Sequence, residues 1–231
     1  MNIFQGFAEI FGTSEYISLI FSGLGETLLI SVLAAILGLV LGIVVALIKI
    51  AYPKNKKALC VPNAICNIYV TIIRGTPVAL QLFIMVFAIF AIRGFPLEIT
   101  AILTFGINSG AYVSENIRAG ILSIDKGQTE AGLSLGLTGG QTMRLIVMPQ
   151  AIKNVIPTIG NELIALLKET SIVSMVGLID LTYAARIIGA GDKMANYLVP
   201  MLVAAAFYLI FVYAIAFIIK LLEKRMRRGE R

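Results

Sequence analysis

The 231-residue chain is 58% hydrophobic and only 14% charged, with a mean hydropathy of +0.92 and a formal net charge of +6. Soluble globular chains are roughly 45–50% apolar and about 25% charged, and disordered chains are poor in apolar residues. Both are excluded, and the chain reads as an integral membrane protein. It has no histidine, which removes His-based acid–base catalysis, His metal ligands and His pH switching. No catalytic residue and no metal site are expected.

The N-terminal stretch carries Glu9 and Glu15 and no early Lys or Arg, so it is not expected to be a secretory signal. About 20 mostly apolar residues cross a hydrocarbon core of ~30 Å, and five candidate spans follow. The first, about 24–50, is uncharged from Leu28 to Ile48 and closed by Lys49; its Gly38 and Gly42 form a GxxxG that permits close helix approach, a dimer contact being one use. The second, about 59–92, is longer than a straight span needs and is interrupted by Arg74, Gly75 and Pro77. Cys60 and Cys66 within it read as small buried hydrophobes rather than a redox pair. The third, about 95–122, turns amphipathic around Glu115 and Arg118. The fourth, about 151–179, is interrupted by Pro157, Glu162, Lys168 and Glu169. The fifth, about 195–222, is uncharged from Leu198 to Ile219 and leads into a tail holding six of the nineteen basic residues, a membrane-flanking cluster rather than a nucleic-acid surface.

Loop charges set the orientation. Five spans with the N-terminus outside and the C-terminus cytoplasmic place fourteen basic residues inside and three outside, with Arg74 and Lys168 within spans. Lys and Arg favour the cytoplasmic side, whereas a sixth span would separate the lysine-rich loop after span one from the basic tail. The expected fold class is all-α: a single transmembrane domain over residues 1–231, with five helices.

Between spans three and four lies a cytoplasmic loop of about 123–150, longer than a turn requires. A short helix is expected to begin near Gln128 to Glu130 and end at Gly136, suited to a left-handed cap. Thr138 is expected to cap a second short segment with Gly139 and Gly140 in its first turn. Such a pair makes a docking surface or, more blandly, a connection resting on the membrane.

Within that loop Glu130, Ala131, Gly132, Gly136, Ile146, Met148 and Pro149 keep the spacing of the E-A-A-x3-G-x9-I-x-L-P loop of permease subunits from ATP-binding cassette importers, with Gly132 and Met148 as departures. The chain resembles that family from about Gly23 to Ile219. Its polar amino-acid branch, which serves cargoes of the histidine, arginine, glutamine and cystine type, is matched by Arg74-Gly75-Thr76-Pro77, Asn108-Ser109-Gly110-Ala111-Tyr112, Asn161-Glu162 and Leu167-Lys168-Glu169-Thr170-Ser171. The resemblance implies a multi-pass subunit of a prokaryotic cell membrane, importing a polar amino acid by alternating access. It implies a coupling loop in which Glu130, Ala131, Gly132, Gly136 and Pro149 seat against separate ATPase subunits. ATP and Mg²⁺ would belong to those subunits, since this chain has no G-x4-G-K-[ST] phosphate loop. A second permease, preferably another copy and otherwise a paralogue, and an extracytoplasmic substrate-binding protein complete the expected partners. The competing readings are a self-contained secondary carrier or channel, and an intramembrane enzyme, for which no nucleophile–base pair is recognisable.

Charges in a span are costly and mark a pathway or a paired structural site. An α-amino acid is a zwitterion, so its site needs a cation or bare N–H groups for the carboxylate and an acid or carbonyls for the ammonium. Arg74 and Glu169 have complementary charges, and Asn108, Ser109, Thr170 and Ser171 are expected to donate or accept around them. The alternative is that Arg74 pairs with Glu162 or Glu169 to hold the fold.

Overall fold

The computed structural model describes residues 3–191 and 197–226, which are helical with no strand among them. In chain order the helices are α1 (Ile3–Gly12), α2 (Ser14–Ala51), α3 (Lys56–Gly75), α4 (Val78–Ile84), α5 (Leu97–Leu122), α6 (Lys126–Ser134), α7 (Gly139–Thr142), α8 (Met148–Glu169), α9 (Leu181–Ala190) and α10 (Leu198–Met226). Wide π turns extend α4 over Met85–Ile89 and join α7 to α8 over Met143–Val147, and a 3₁₀ turn, Thr170–Val176, extends α8. Among the described residues α2, α3 and α10 are each long and apolar enough to cross a membrane, and the run Gly139–Val176 with α9, bent by 47°, makes up to a fourth candidate. Asp192, Lys193 and the end of the basic tail, which entered the charge partition, lie outside the described residues.

Helix α5 is the buried centre. Its polar residues Thr100, Thr104, Asn108, Ser109 and Ser114 are all buried. Hydroxyls can be buried there because they bond to the helix's own carbonyls: Thr104 Oγ1 donates to Thr100 O at 2.7 Å and Ser114 Oγ to Ala111 O at 2.8 Å. Against it lies α2, and glycines on both helices set the separation. A Cβ at Gly38 would sit 2.8 Å from Ser109 Cβ, one at Gly42 2.5 Å from Val113 Cγ1, and one at Gly106 2.6 Å from Leu37 Cδ2. Thus the GxxxG of α2 is answered by Gly106 and Gly110 of α5 within the same chain, and a dimer contact is not its use here. Lipid offers no hydrophobic drive between helices, so close backbone packing of this kind is what holds them. Lower down, Lys49 and Arg118 both pair with the Glu115 carboxylate, Arg118 at 2.8 Å.

Several expectations are corrected. Helix α1 precedes the first span and buries Gly6 and Ile10, Gly6 lying against Val199 of α10. Span one is longer than expected, because α2 runs for 38 residues from Ser14. Pro157 does not break span four: α8 passes through it, and the chain turns instead at Gly177, with φ +90°. The following connection contains α9, which is tied down by Asp180. That carboxylate accepts from the Tyr183 and Thr182 N–H groups at 2.9 and 3.1 Å, while Thr27 Oγ1 of α2 accepts from Leu181 N–H. Cys66 is buried as expected, Cys60 is exposed, and both are free.

Apolar side chains left outside this core run in stripes, such as Val61, Ile65, Ile68 and Ile72 on α3. Their i, i+4, i+7 spacing marks one helix face that the chain itself leaves uncovered. If the α2–α5 contact governs the fold, Gly42→Ala should destabilise the detergent-solubilised chain by about 1–3 kcal/mol through overpacking. Adding Val113→Ala should recover much of that loss in thermal-unfolding measurements; equal instability of single and double variants would contradict the packing argument.

Candidate functional site

The break between α3 and α4 is the first element of the site. A helix end leaves its last carbonyls without partners, Pro77 has no N–H to give, and lipid supplies none. Side chains fill the gap. Thr76 Oγ1 donates to Ile72 O at 2.9 Å, and Gln81 Nε2 reaches back from α4 to Ile73 O at 2.8 Å, Thr76 O at 3.1 Å and Thr76 Oγ1 at 2.8 Å. On its other side Gln81 Oε1 accepts from Asn108 Nδ2 of α5 at 2.9 Å. One turn along α5, the Arg74 guanidinium lies over the Tyr112 ring, 5.1 Å from its centroid. Arg74 is exposed, whereas Asn108 is buried.

The second element is the α5–α8 face. Ser109 lies close to the Glu162 carboxylate, and the two residues share an open pocket of about 200 Å³ with Ala35, Leu39 and Gly160. Glu162 also lies within electrostatic reach of Arg74 and of Glu169. Glu169 follows it by seven residues and so falls on the same face of the helix. Arg74 makes no ion pair with Glu162 or Glu169 among the described residues. The pairing that would have made Arg74 a purely structural charge is therefore not formed.

Arg74, Ser109 and Glu169 thus lie within reach of Glu162, while Asn108 is bonded to Gln81. Thr170 and Ser171 do not join them. Thr170 is buried and donates to Leu167 O at 2.6 Å; Ser171 donates to Lys168 O at 2.8 Å and lines a separate pocket with Lys168 and Tyr208. Two residues were missing from the sequence-derived set. Glu162 stood only as a structural partner for Arg74, and Gln81 was not singled out. The available signal for Gln81 was that it is the lone polar side chain between Pro77 and Arg93.

The third element is the loop. Helix α6 starts at Lys126 rather than near Gln128 to Glu130, because Asp125 caps it by accepting from Gly127 N–H at 2.7 Å. At the other end Leu137 N–H bonds Gly132 O and Gly136 N–H bonds Leu133 O, with Gly136 at φ +81°. This is a Schellman cap, and it needs a residue that tolerates the left-handed region. A Cβ on Gly132 would come 2.6 Å from Thr142 Cγ2, which accounts for glycine where the family pattern has alanine. Thr138 closes a capping box with Gln141, as its position suggests. The second segment is not a separate short helix, however. It runs through the π turn into α8, so the loop and Glu162 lie on one continuous helical run. Glu130 and Ala131 are exposed, as are Pro149 and, at 80%, Leu135.

Over residues 38–228 the chain matches the family described as binding-protein-dependent transport system inner membrane component. The chain belongs to this family. It is 45% identical to a putative glutamine transport system permease protein of Rickettsia typhi, over 91% of this chain and 94% of the relative. It is 41% identical to an arginine transport system permease protein of Bacillus subtilis, over 94% and 97%. Among solved structures it resembles an amino acid ABC transporter crystallised with histidines, with a TM-score of 0.81, 38% identity and coverage of 91% and 95%. The fold is shared with the MetNI methionine transporter in inward-facing form, with a TM-score of 0.76, 21% identity and coverage of 94% and 100%. The chain is therefore a multi-pass permease subunit of an ATP-binding cassette importer in a bacterial inner membrane, not an enzyme, and the ATPase is a separate subunit. A self-contained carrier or channel is not favoured.

The Schellman cap yields a direct test. Gly136→Val puts a β-branched residue at φ +81°, at a cost of about 1–2 kcal/mol or more. Amide exchange at Leu137 should accelerate roughly tenfold or more, and unchanged exchange would show that the cap does not depend on this glycine.

Proposed function

We propose that this subunit passes a polar amino acid inward along the face where Arg74, Ser109, Glu162 and Glu169 converge. The observation that carries the reading is an exposed cation, held on Tyr112, within electrostatic reach of an acid that lines an open pocket. Arg74 takes the cargo carboxylate through parallel N–H donors, and Glu162 takes the ammonium, with Glu169 next along α8. Asn108 supports from behind, through Gln81. Thr170 and Ser171 stay turned to their own helix. The glutamine, arginine and histidine in the names of similar proteins support an α-amino acid as cargo.

The single permease domain spans the membrane five times, with α5 as a central span and the N-terminus outside. Two copies of the chain enclose the path, an extracytoplasmic binding protein delivers cargo, and the ATPase subunit seats on α6 through Glu130, Ala131, Gly132, Gly136 and Pro149. ATP and Mg²⁺ are bound there, on the partner. Because α7 continues into α8, movement of the loop is transmitted to Glu162 along a stiff rod, and the path opens to one side at a time.

Topology is tested with single cysteines after replacement of Cys60 and Cys66. Those at Lys56 and Thr138 should be shielded from impermeant thiol reagents in intact cells, and those at Ser14 and Gly191 should react; external labelling at Thr138 would overturn the orientation. The cargo reading is tested in reconstituted complex. A hydrogen bond to a charged group contributes roughly 1.5–3 kcal/mol, so Glu162→Gln should raise the half-saturating cargo concentration about ten- to a hundredfold, and Glu169→Gln should act in the same direction. Cargo binding to the external protein should not change. Glu130→Lys should abolish cargo-stimulated ATPase activity in assembled complex. Normal kinetics in Glu162→Gln removes that residue from the path, and wild-type stimulation in Glu130→Lys removes the loop from docking.

A further inference from the structure

From the hydrogen-bond pattern at the α3–α4 break we infer that Gln81 is a positioning residue, which sets Arg74 in place by tying the end of α3 to α5. The inference rests on the reading of Arg74 as the group that meets the cargo carboxylate. A primary amide has two N–H donors and one carbonyl, and Gln81 commits both ends inside the protein. Its nitrogen serves Ile73 O, Thr76 O and Thr76 Oγ1, and its oxygen accepts from Asn108. The backbone decides which way the amide faces: Ile73 O and Thr76 O can only accept, so Nε2 faces them and Oε1 is left to take Asn108 Nδ2. A continuous run follows, from Asn108 through Gln81 and Thr76 to Ile72 O, and hydrogen bonds in such a run strengthen one another.

Arg74 sits in the last turn of α3, next to Ile73, whose carbonyl Gln81 holds. Its own tie to α5 is the cation–π contact with Tyr112, which is too weak by itself to fix a long, exposed side chain. Asn108 and Tyr112 are four residues apart, neighbours on one face of α5. The break is therefore pinned at two levels: backbone by Gln81, guanidinium by Tyr112. Losing the first pin frees the end of α3 and displaces Arg74, while leaving the cargo's own contacts chemically intact.

The test uses the full complex in proteoliposomes, with liganded binding protein and radiolabelled L-glutamine and L-arginine as probes. Gln81→Met keeps the length and removes every hydrogen bond. The half-saturating concentration should rise about tenfold per assembled complex, while turnover at saturation changes less than twofold. In an Arg74→Ala background, already impaired, the same Gln81→Met should add less than a twofold effect, because there is no guanidinium left to place. Wild-type half-saturation in Gln81→Met would overturn the inference. So would an equal further loss in the Arg74→Ala background, which would make Gln81 an independent contact. Loss of assembly in both Gln81→Met and the shorter amide Gln81→Asn would also overturn it, leaving Gln81 a role in folding alone. If Arg74→Ala transports normally, the cargo reading falls and this inference with it; if Arg74→Ala is impaired and Gln81→Met is not, only the inference falls.

Discussion

The contact between α2 and α5 is the one on which the rest of the molecule depends. Two helices that carry glycine at Gly38, Gly42, Gly106 and Gly110 can approach until side chains of one touch backbone of the other. In lipid this is the available form of helix attraction. Once α5 is locked against α2, other elements find their places on the pair. α3 packs on both through Val45, Cys66, Val70 and Ala111, α8 approaches α5 at Gly120, where a Cβ would strike Val155, and α9 is bonded to α2 at Thr27.

A second constraint shapes the functional face. Inside a membrane, backbone polar groups must find partners within the protein. The α3–α4 break satisfies this with Thr76 and Gln81, and α9 satisfies it with Asp180 and Thr27. A break maintained in this way costs more side-chain order than a straight helix would. Its consequence is to end α3 just past Arg74, whose guanidinium lies over Tyr112 within electrostatic reach of Glu162.

The α7–α8 run links the loop to the α5–α8 face. At one end the chain is fixed to α6 by small residues and a left-handed glycine, with Glu130 and Leu135 exposed. At the other it presents Glu162 and Glu169. The run stays helical through Pro157 to Val176 and then bends by 47° into α9.

The sequence by itself determined the membrane class, the loop caps at Gly136 and Thr138, and the family. These follow from composition, from charge in the connections and from local signals such as Thr138, Gly136 and the spacing from Glu130 to Pro149, which act within a few residues along the chain. It also marked Arg74, Ser109 and Glu169, because a polar group in an apolar run is conspicuous wherever it points. Tertiary structure alone decided the partners. That the glycines of α2 face those of α5, that Asn108 is held by Gln81, and that Glu162 comes within electrostatic reach of Arg74 without an ion pair are relations between elements far apart in sequence. No local periodicity encodes them. Pro157 shows the same limit from the other side: the helix continues through it, with α5 and α10 packed on α8 at Val155 and Gly160, either side of it.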